Sequence, residues 1–313
     1  MNPAPRLPPP RHLPASVRRR IALTAAAFLA GGWLNTLAVI FHSTGDPDYN
    51  TTEPIGALGL SGWQWVGKWG SSTGTPVGPH HFLAARHIGG AIGQALVLGA
   101  GEYVTKAYQD DPESDLRIWE TATPFPTWAP LCRVRDEVGR MAVIFGRGYI
   151  RGEDVRDTMN GELRGWRWSP GDGRLRWGTN RIHAEVNRGA GWGTMLYALF
   201  ENNGNANEVH LAVNDSGAPM FINNGQGWKL AGIAGAVDAH FNTSDSGPGF
   251  DAAIFDARNL HFGREGKWTK RLEGPKPLPS GFYCTRISAR ADWIDRMISG
   301  SDDRSNGQSK SAK

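Results

Sequence analysis

At 313 residues the chain is long enough for one large domain or two moderate ones with ample core. With 41 Gly, 20 Pro and few helix-period stretches, it reads as turns and short strands rather than long helices. The formal net charge of +4 points to a nucleic-acid partner only until its distribution is read: residues 1–38 hold five Arg and no Asp, Glu or Lys, and without them the remainder carries −1.

The chain opens on "PAPRLPPPRHLPA", an extended, unstructured composition, followed by "SVRRR". An uncharged and largely apolar run then extends from Ile21 to Phe41. A basic start, an apolar centre and small residues at Thr36 and Ala38 describe a signal peptide over 1–38, cleaved after Ala38. That would export the protein to the periplasm or the exterior. An uncleaved membrane anchor stands beside this reading, because the run is just long enough to span a bilayer. Gly31, Gly32 and Asn35 weaken the anchor, and the Arg triplet matches a twin-arginine signal only loosely. Membrane association is expected only if the anchor is retained.

Beyond a loop at "DPDYNTTEPIGALG" come short runs divided by Gly and Pro: "GWQWVGKWG", "HHFLAARHI", "AIGQALVLGAGEY" and "SDLRIWE". Pro and Thr crowd residues 121–132, which predicts an extended connector and a boundary between domains 39–128 and 129–299. A second series of strands follows. "RMAVIFGRGYI" reads as one strand, and "GWRWSPGDGRLRWGTN" as a hairpin turning at 170–173. "GTMLYALFEN", "EVHLAVN", "PMFINN" and "WKLAGIAGAV" continue the pattern, and 252–280 looks inserted. "ISARADWIDRMIS" places Ile287, Ala291, Ile294 and Ile298 on one helical face. Residues 300–313 have no apolar side chain except the Ala near the end, and are expected to form a disordered tail. No fixed-period repeat is present.

Only two cysteines occur, Cys132 and Cys284, and neither has the spacing of a zinc ligand set, so no metal or other cofactor is expected. Three polar positions stand out. His87 ends an apolar strand, where a strand-end His in partial solvent is the ordinary alternative. Asp115 precedes "LRIWE", with Asp110, Asp111 and Glu113 suggesting a solvated acidic loop instead. Ser216 lies in "NDSGAP", which also reads as a hairpin turn. Together they are what acyl transfer needs. A serine hydroxyl attacks when an imidazole takes its proton, and a carboxylate orients that imidazole. A Gly-rich turn can supply N–H donors to the oxyanion.

The order His, Asp, Ser resembles the chymotrypsin/trypsin-like serine peptidases. "FLAARH", "SDLRI", "NDSGAP", "KLAGIAG" and "GFYCTRISARADWI" are similar to five of that family's landmarks in the same order, between about residues 60 and 299. The resemblance implies an all-β fold of two six-stranded antiparallel Greek-key barrels with a C-terminal helix. It implies peptide-bond hydrolysis through an acyl-enzyme, with His87 as base and then acid, Asp115 as orienter and Ser216 as nucleophile. The oxyanion donors would be the backbone N–H groups of Asn214 and Ser216. The primary pocket would involve His210 at its base and Gly235, Ala236 and Val237 on its wall, and Cys132–Cys284 would form a disulfide, two buried free thiols being the alternative. The partner would be a protein or peptide substrate.

Asn214 and Ala218 stand where the family carries Gly, and Arg86 where it carries a small residue. The family's Ile-Val-Gly-Gly amino terminus is absent. In its zymogens that terminus pairs with the Asp before the serine, here Asp215. A protein of this fold that binds without catalysis, and an exported β-sandwich adhesin, are the alternative functions. "GAGEYV" lacks the third Gly of a dinucleotide fingerprint, and the basic run 264–271 reads as a solvated loop.

Overall fold

Runs of apolar, β-branched and aromatic residues bounded by Gly, Pro and Asn form antiparallel strands through most of the chain. The computed structural model describes residues 39–309 apart from Glu273, so the whole 1–38 leader lies outside the described residues. Among the described residues no helix is long and apolar enough to cross a membrane.

After a short strand β1 (Ile40–Phe41), six strands form the first barrel: β2 (Gly67–Trp69), β3 (Ser72–Gly78), β4 (His81–Ala85), β5 (Ala95–Leu98), β6 (Gly101–Asp110) and β7 (Leu116–Thr121). They close in the order β2-β3-β4-β7-β6-β5. Trp69, Phe82, Leu96 and Trp119 fill its interior. Residues 122–140 contain no strand or helix and lead into the second half.

There the strands are β8 (Met141–Gly146), β9 (Ile150–Arg156), β10 (Leu163–Ser169), β11 (Arg176–Asn187), β12 (Thr194–Leu199), β13 (Val209–His210), β14 (Pro219–Asn223) and β15 (Trp228–Val237). They continue as β16 (His240–Asn242), β17 (Phe250–Ile254), β18 (His261–Arg264), β19 (Lys267–Lys270) and β20 (Gly281–Arg286). The second barrel closes as β11-β12-β20-β15-β14-β8. A shared core joins the barrels: Leu83 and Ile118 from the first pack with Val143, Phe145 and Phe221 from the second, and with Trp293 and Ile294 of the C-terminal helix. The protein is therefore all-β, with two closed six-stranded antiparallel barrels and a C-terminal helix, the architecture that the sequence resemblance implies.

Several local expectations differ from the structure. "RMAVIFGRGYI" is two strands, β8 in the barrel and β9 outside it. The 170–173 hairpin does not form, because β10 pairs with β9 and β17, whereas β11 pairs with β8 and β12. Alternation marks a strand but not its partner; here Trp166 of β10 is drawn into a cluster with Phe200 and Phe255, far away in sequence. The insertion is larger than 252–280: two excursions, β9–β10 and β16–β19, build a separate sheet ordered β19-β18-β16-β17-β10-β9. Buried Arg164 ties them together, 2.6 Å from Asp157 and 2.5 Å from Asp256. The C-terminal helix spans Ala291–Ser309, so it continues through most of the expected tail. A helix once nucleated adds one hydrogen bond per residue, and a lone Gly300 does not stop it. Ile287 sits in a short 3-10 turn ahead of the helix, yet it shares the buried face with Ala291 and Ile294.

The Cys132–Cys284 disulfide is also corrected: both are free thiols in the core of the second barrel. Cys284 lies over Gly232, whereas the Cys132 thiol donates to the Val134 carbonyl at 3.4 Å. Burial pushes the Cys132 thiol up to about 11 and raises that of Cys284 as well. The thiol reagent DTNB is thus expected to count no thiol in the native protein and two after unfolding without reductant. A count of zero after unfolding would restore the disulfide.

Candidate active site

His87 follows the fully buried strand β4 and lies in a 3-10 turn, Arg86–Ile88. Gly90 behind it has φ +120°, and a Cβ there would lie 2.3 Å from the Trp69 ring, so only glycine lets the turn close against the first barrel core. Asp115 immediately precedes β7, whose register sets Leu116 opposite Ala85 of β4. That register brings Asp115 to His87. The Arg86 N–H donates to the Asp115 carbonyl at 2.8 Å, and the His87 N–H to Asp115 Oδ1 at 3.0 Å. His87 Nδ1 is 2.6 Å from Asp115 Oδ2. A carboxylate only accepts, so Nδ1 carries the proton and Nε2 is left as the acceptor. Nε2 lies 2.8 Å from Ser216 Oγ.

Ser216 comes from the other barrel, on the loop between β13 and β14. Asn214 has φ +71° and Gly217 φ +82°, so the left-handed backbone expected of an Asn in place of Gly is adopted. The Gly217 N–H donates to Ala234 at 2.9 Å and the Ala218 N–H to Asp215 at 2.9 Å. Among the described residues, the N–H groups of Asn214 and Ser216 donate to nothing. A Cβ on Gly217 would lie 2.3 Å from the Thr73 carbonyl oxygen, a backbone atom that cannot swing aside. Gly217→Ala is therefore expected to lower stability by about 2–4 kcal/mol in a urea titration, from strain and the clash together. A loss below about 0.5 kcal/mol would mean that the turn is not so confined.

Asp215 is buried, and desolvation pushes its carboxyl up to about 7 against hydrogen bonds from the backbone N–H groups of Ala212, Gly148, Arg147 and Val39. Gly148 donates to Oδ1 at 2.7 Å and Ala212 to Oδ2 at 2.9 Å. No cationic side chain pairs with it among the described residues.

Sequence reasoning missed three supports. Asp111 is buried rather than part of a solvated loop, held by Arg290 through two contacts of 2.6 Å, and Arg290 also reaches Glu113 at 2.5 Å. Arg86 braces the histidine turn by donating to the carbonyls of Asp111 at 3.3 Å and Gly191 at 3.1 Å. The Trp192 ring lies 6.0 Å from the His87 ring. Only the Gly-rich setting of Trp192 hints at this in the sequence.

Beside Ser216 is a cavity of about 200 Å³. Leu211, Ala212 and Val213 line it with Gly235, Ala236 and Val237, and Trp168 of the extra sheet adds a further wall. His210 is corrected: it does not line this cavity. It is fully buried between Phe200 and Phe282, with Nε2 3.2 Å from Ser280 Oγ, and burial lowers it to about 4. A two-residue β13 turns its side chain inward.

No protein-family model and no curated protein matches the chain. Among solved structures it is similar to neuropsin, a serine protease expressed in the limbic system of mouse brain. That match has 16% identity and a TM-score of 0.45, and covers 76% of this chain and 95% of neuropsin. It is also similar to kallikrein-related peptidase 10 in complex with Zn2+, at 15% identity and a TM-score of 0.47, covering 79% and 100%. Identities this low say nothing of activity. The trypsin-like fold rests on the pairing of the strands themselves.

Proposed function

We propose that the protein is a serine endopeptidase. The observation that carries this reading is the continuous hydrogen-bond chain Asp115–His87–Ser216, with two undonated N–H groups beside the serine. Ser216 Oγ attacks the carbonyl carbon of the scissile bond while His87 Nε2 takes its proton, and Asp115 stabilises the imidazolium. The negative charge that builds on the carbonyl oxygen falls to the N–H groups of Asn214 and Ser216. His87 then returns the proton to the leaving amine. Water hydrolyses the acyl-enzyme by the same steps in reverse. The apolar cavity beside Ser216 favours a small or medium apolar side chain ahead of the scissile bond.

Export and removal of the leader after Ala38 belong to the same proposal. Cleavage there would leave Val39 as the amino terminus, and the Val39 main-chain nitrogen already lies among the donors to Asp215.

The test is labelling of purified residues 39–313 with a fluorophosphonate, the adduct being located by peptide mass spectrometry. A stoichiometric adduct on Ser216, absent from Ser216→Ala and from heat-denatured protein, is expected. No adduct on folded protein would sink the peptidase reading and favour a binding relative of the same fold.

A further inference from the structure

Several deeply placed guanidinium groups among the described residues are each paired with a carboxylate. Arg164 pairs with Asp157, Arg176 with Asp172, Arg286 with Glu137 and Arg290 with Asp111. Arg147 has no such carboxylate partner among the described residues. It is half-buried in the turn between β8 and β9, and its Nε is shut off from solvent with no partner among the described residues. Its single side-chain hydrogen bond there runs from Nη1 to the Gly173 carbonyl at 3.0 Å. A guanidinium carries five N–H donors, so most of its capacity is unused. Burial that no nearby carboxylate offsets lowers its pKa.

Arg147 faces a groove of about 600 Å³, within the range of roughly 300–1,000 Å³ typical of small-molecule sites. The floor and walls combine Trp63, Val97 and Leu98 with a second cation, Lys68 on β2. No Asp or Glu lines it.

We propose that this groove binds an organic carboxylate, with Arg147 and Lys68 holding the anionic head and Trp63, Val97 and Leu98 covering an apolar body. With Nε shut off from solvent, the Nη1/Nη2 edge of the guanidinium is the fork that matches a carboxylate through two parallel hydrogen bonds, Nη1 keeping its other N–H on Gly173. The apolar walls select a ligand with a hydrocarbon body over a bare inorganic anion. The site is separate from the cavity beside Ser216, which shares none of its lining residues. The two regions meet at the Arg147 backbone, whose N–H helps to hold Asp215. Binding is measured directly, so the proposal stands or falls independently of the peptidase reading.

The experiment is calorimetric titration of the full chain with octanoate and with octanol, a neutral molecule of the same chain length. Octanoate is expected to bind about tenfold or more tightly than octanol. Arg147→Gln should abolish that preference, and Arg147→Lys should keep part of it. Because replacing Arg147 risks disturbing the turn that supports Asp215, Val97→Glu provides a second route: a carboxylate fixed on the groove wall should exclude octanoate, whereas Val97→Gln should not. Equal affinity for octanoate and octanol would overturn the proposal, as would octanoate binding that survives unchanged in both Arg147→Gln and Val97→Glu.

Discussion

Asp115→Asn is expected to lower kcat on a peptide substrate by about 10⁴-fold while leaving KM and the folded state nearly unchanged. The reason is a proton position rather than a lost contact. Asp115 accepts from both the backbone N–H and Nδ1 of His87, so Nε2 is free to accept from Ser216. An asparagine of the same shape can present its NH₂ to Nδ1. The ring then takes the other tautomer, with its proton on Nε2, and cannot serve as base toward the serine. His87→Ala and Ser216→Ala should each cost about 10⁶-fold, and the double variant little more, because these groups act as a unit. An Asp115→Asn enzyme within tenfold of the parent would show that the carboxylate does not set the tautomer.

A chain that begins with a free amine at Val39 is expected to react with fluorophosphonate about 10²-fold or more faster than one that retains Ala38. That is the size of effect reported by loss of one oxyanion donor, and Asp215 sits between the two donors of this site. Val39 is buried and has φ +42°, a poor conformation for a β-branched residue. That angle is defined by the preceding carbonyl carbon, so cleavage after residue 38 abolishes the constraint as it creates an ammonium beside Asp215.

Stability should report the same event with opposite sign in the two chains. With Ala38 retained, the Asp215 carboxyl is raised from its ordinary value to about 7, so the folded state holds a proton that the unfolded state has released. Its contribution falls as pH rises from about 4 to 7. With an ammonium at Val39, the carboxyl is held low instead, and its contribution is lost only as pH falls through the depressed value. The ammonium, raised by its partner, gives up its contribution as pH climbs through its folded pKa, above the usual value of about 8. Buried Glu208, pushed by desolvation up to about 8, affects both chains alike, so the difference between their urea midpoints at pH 5, 7 and 9 reports Asp215 together with the Val39 amine. Identical labelling rates and parallel midpoints would remove any role for the amine.

The class of fold was legible because each barrel strand carries its own local signal: β-branched and aromatic residues at strand spacing, with Gly and Pro between. The site was legible for a similar reason. His87, Asp115 and Ser216 each end or precede a strand, and the residues around them restrict the backbone locally, as the left-handed Asn214 and Gly217 show. What a residue's neighbours in sequence impose can be read from those neighbours.

Partnership across the fold follows a different physics. Whether β10 turns back onto β11 or crosses to β17 is decided by where Trp166 finds Phe200 and Phe255, and nothing within "GWRWSPGDGRLRW" encodes that cluster. His210 stands at the expected distance from Ser216 in sequence, yet it does not line the cavity because Phe200, Phe282 and Ser280 enclose it. Asp111 and Arg147 look like ordinary surface charges until the fold brings Arg290 to one and no carboxylate to the other. By itself the sequence determined the strand-rich class, the three side chains that meet at the candidate site and the turn that carries Ser216, because these depend on local backbone preference and residue chemistry. The tertiary structure alone decided the extra sheet, the free thiols and the pairing or isolation of each buried charge, because burial and ion pairing join residues that the chain holds far apart.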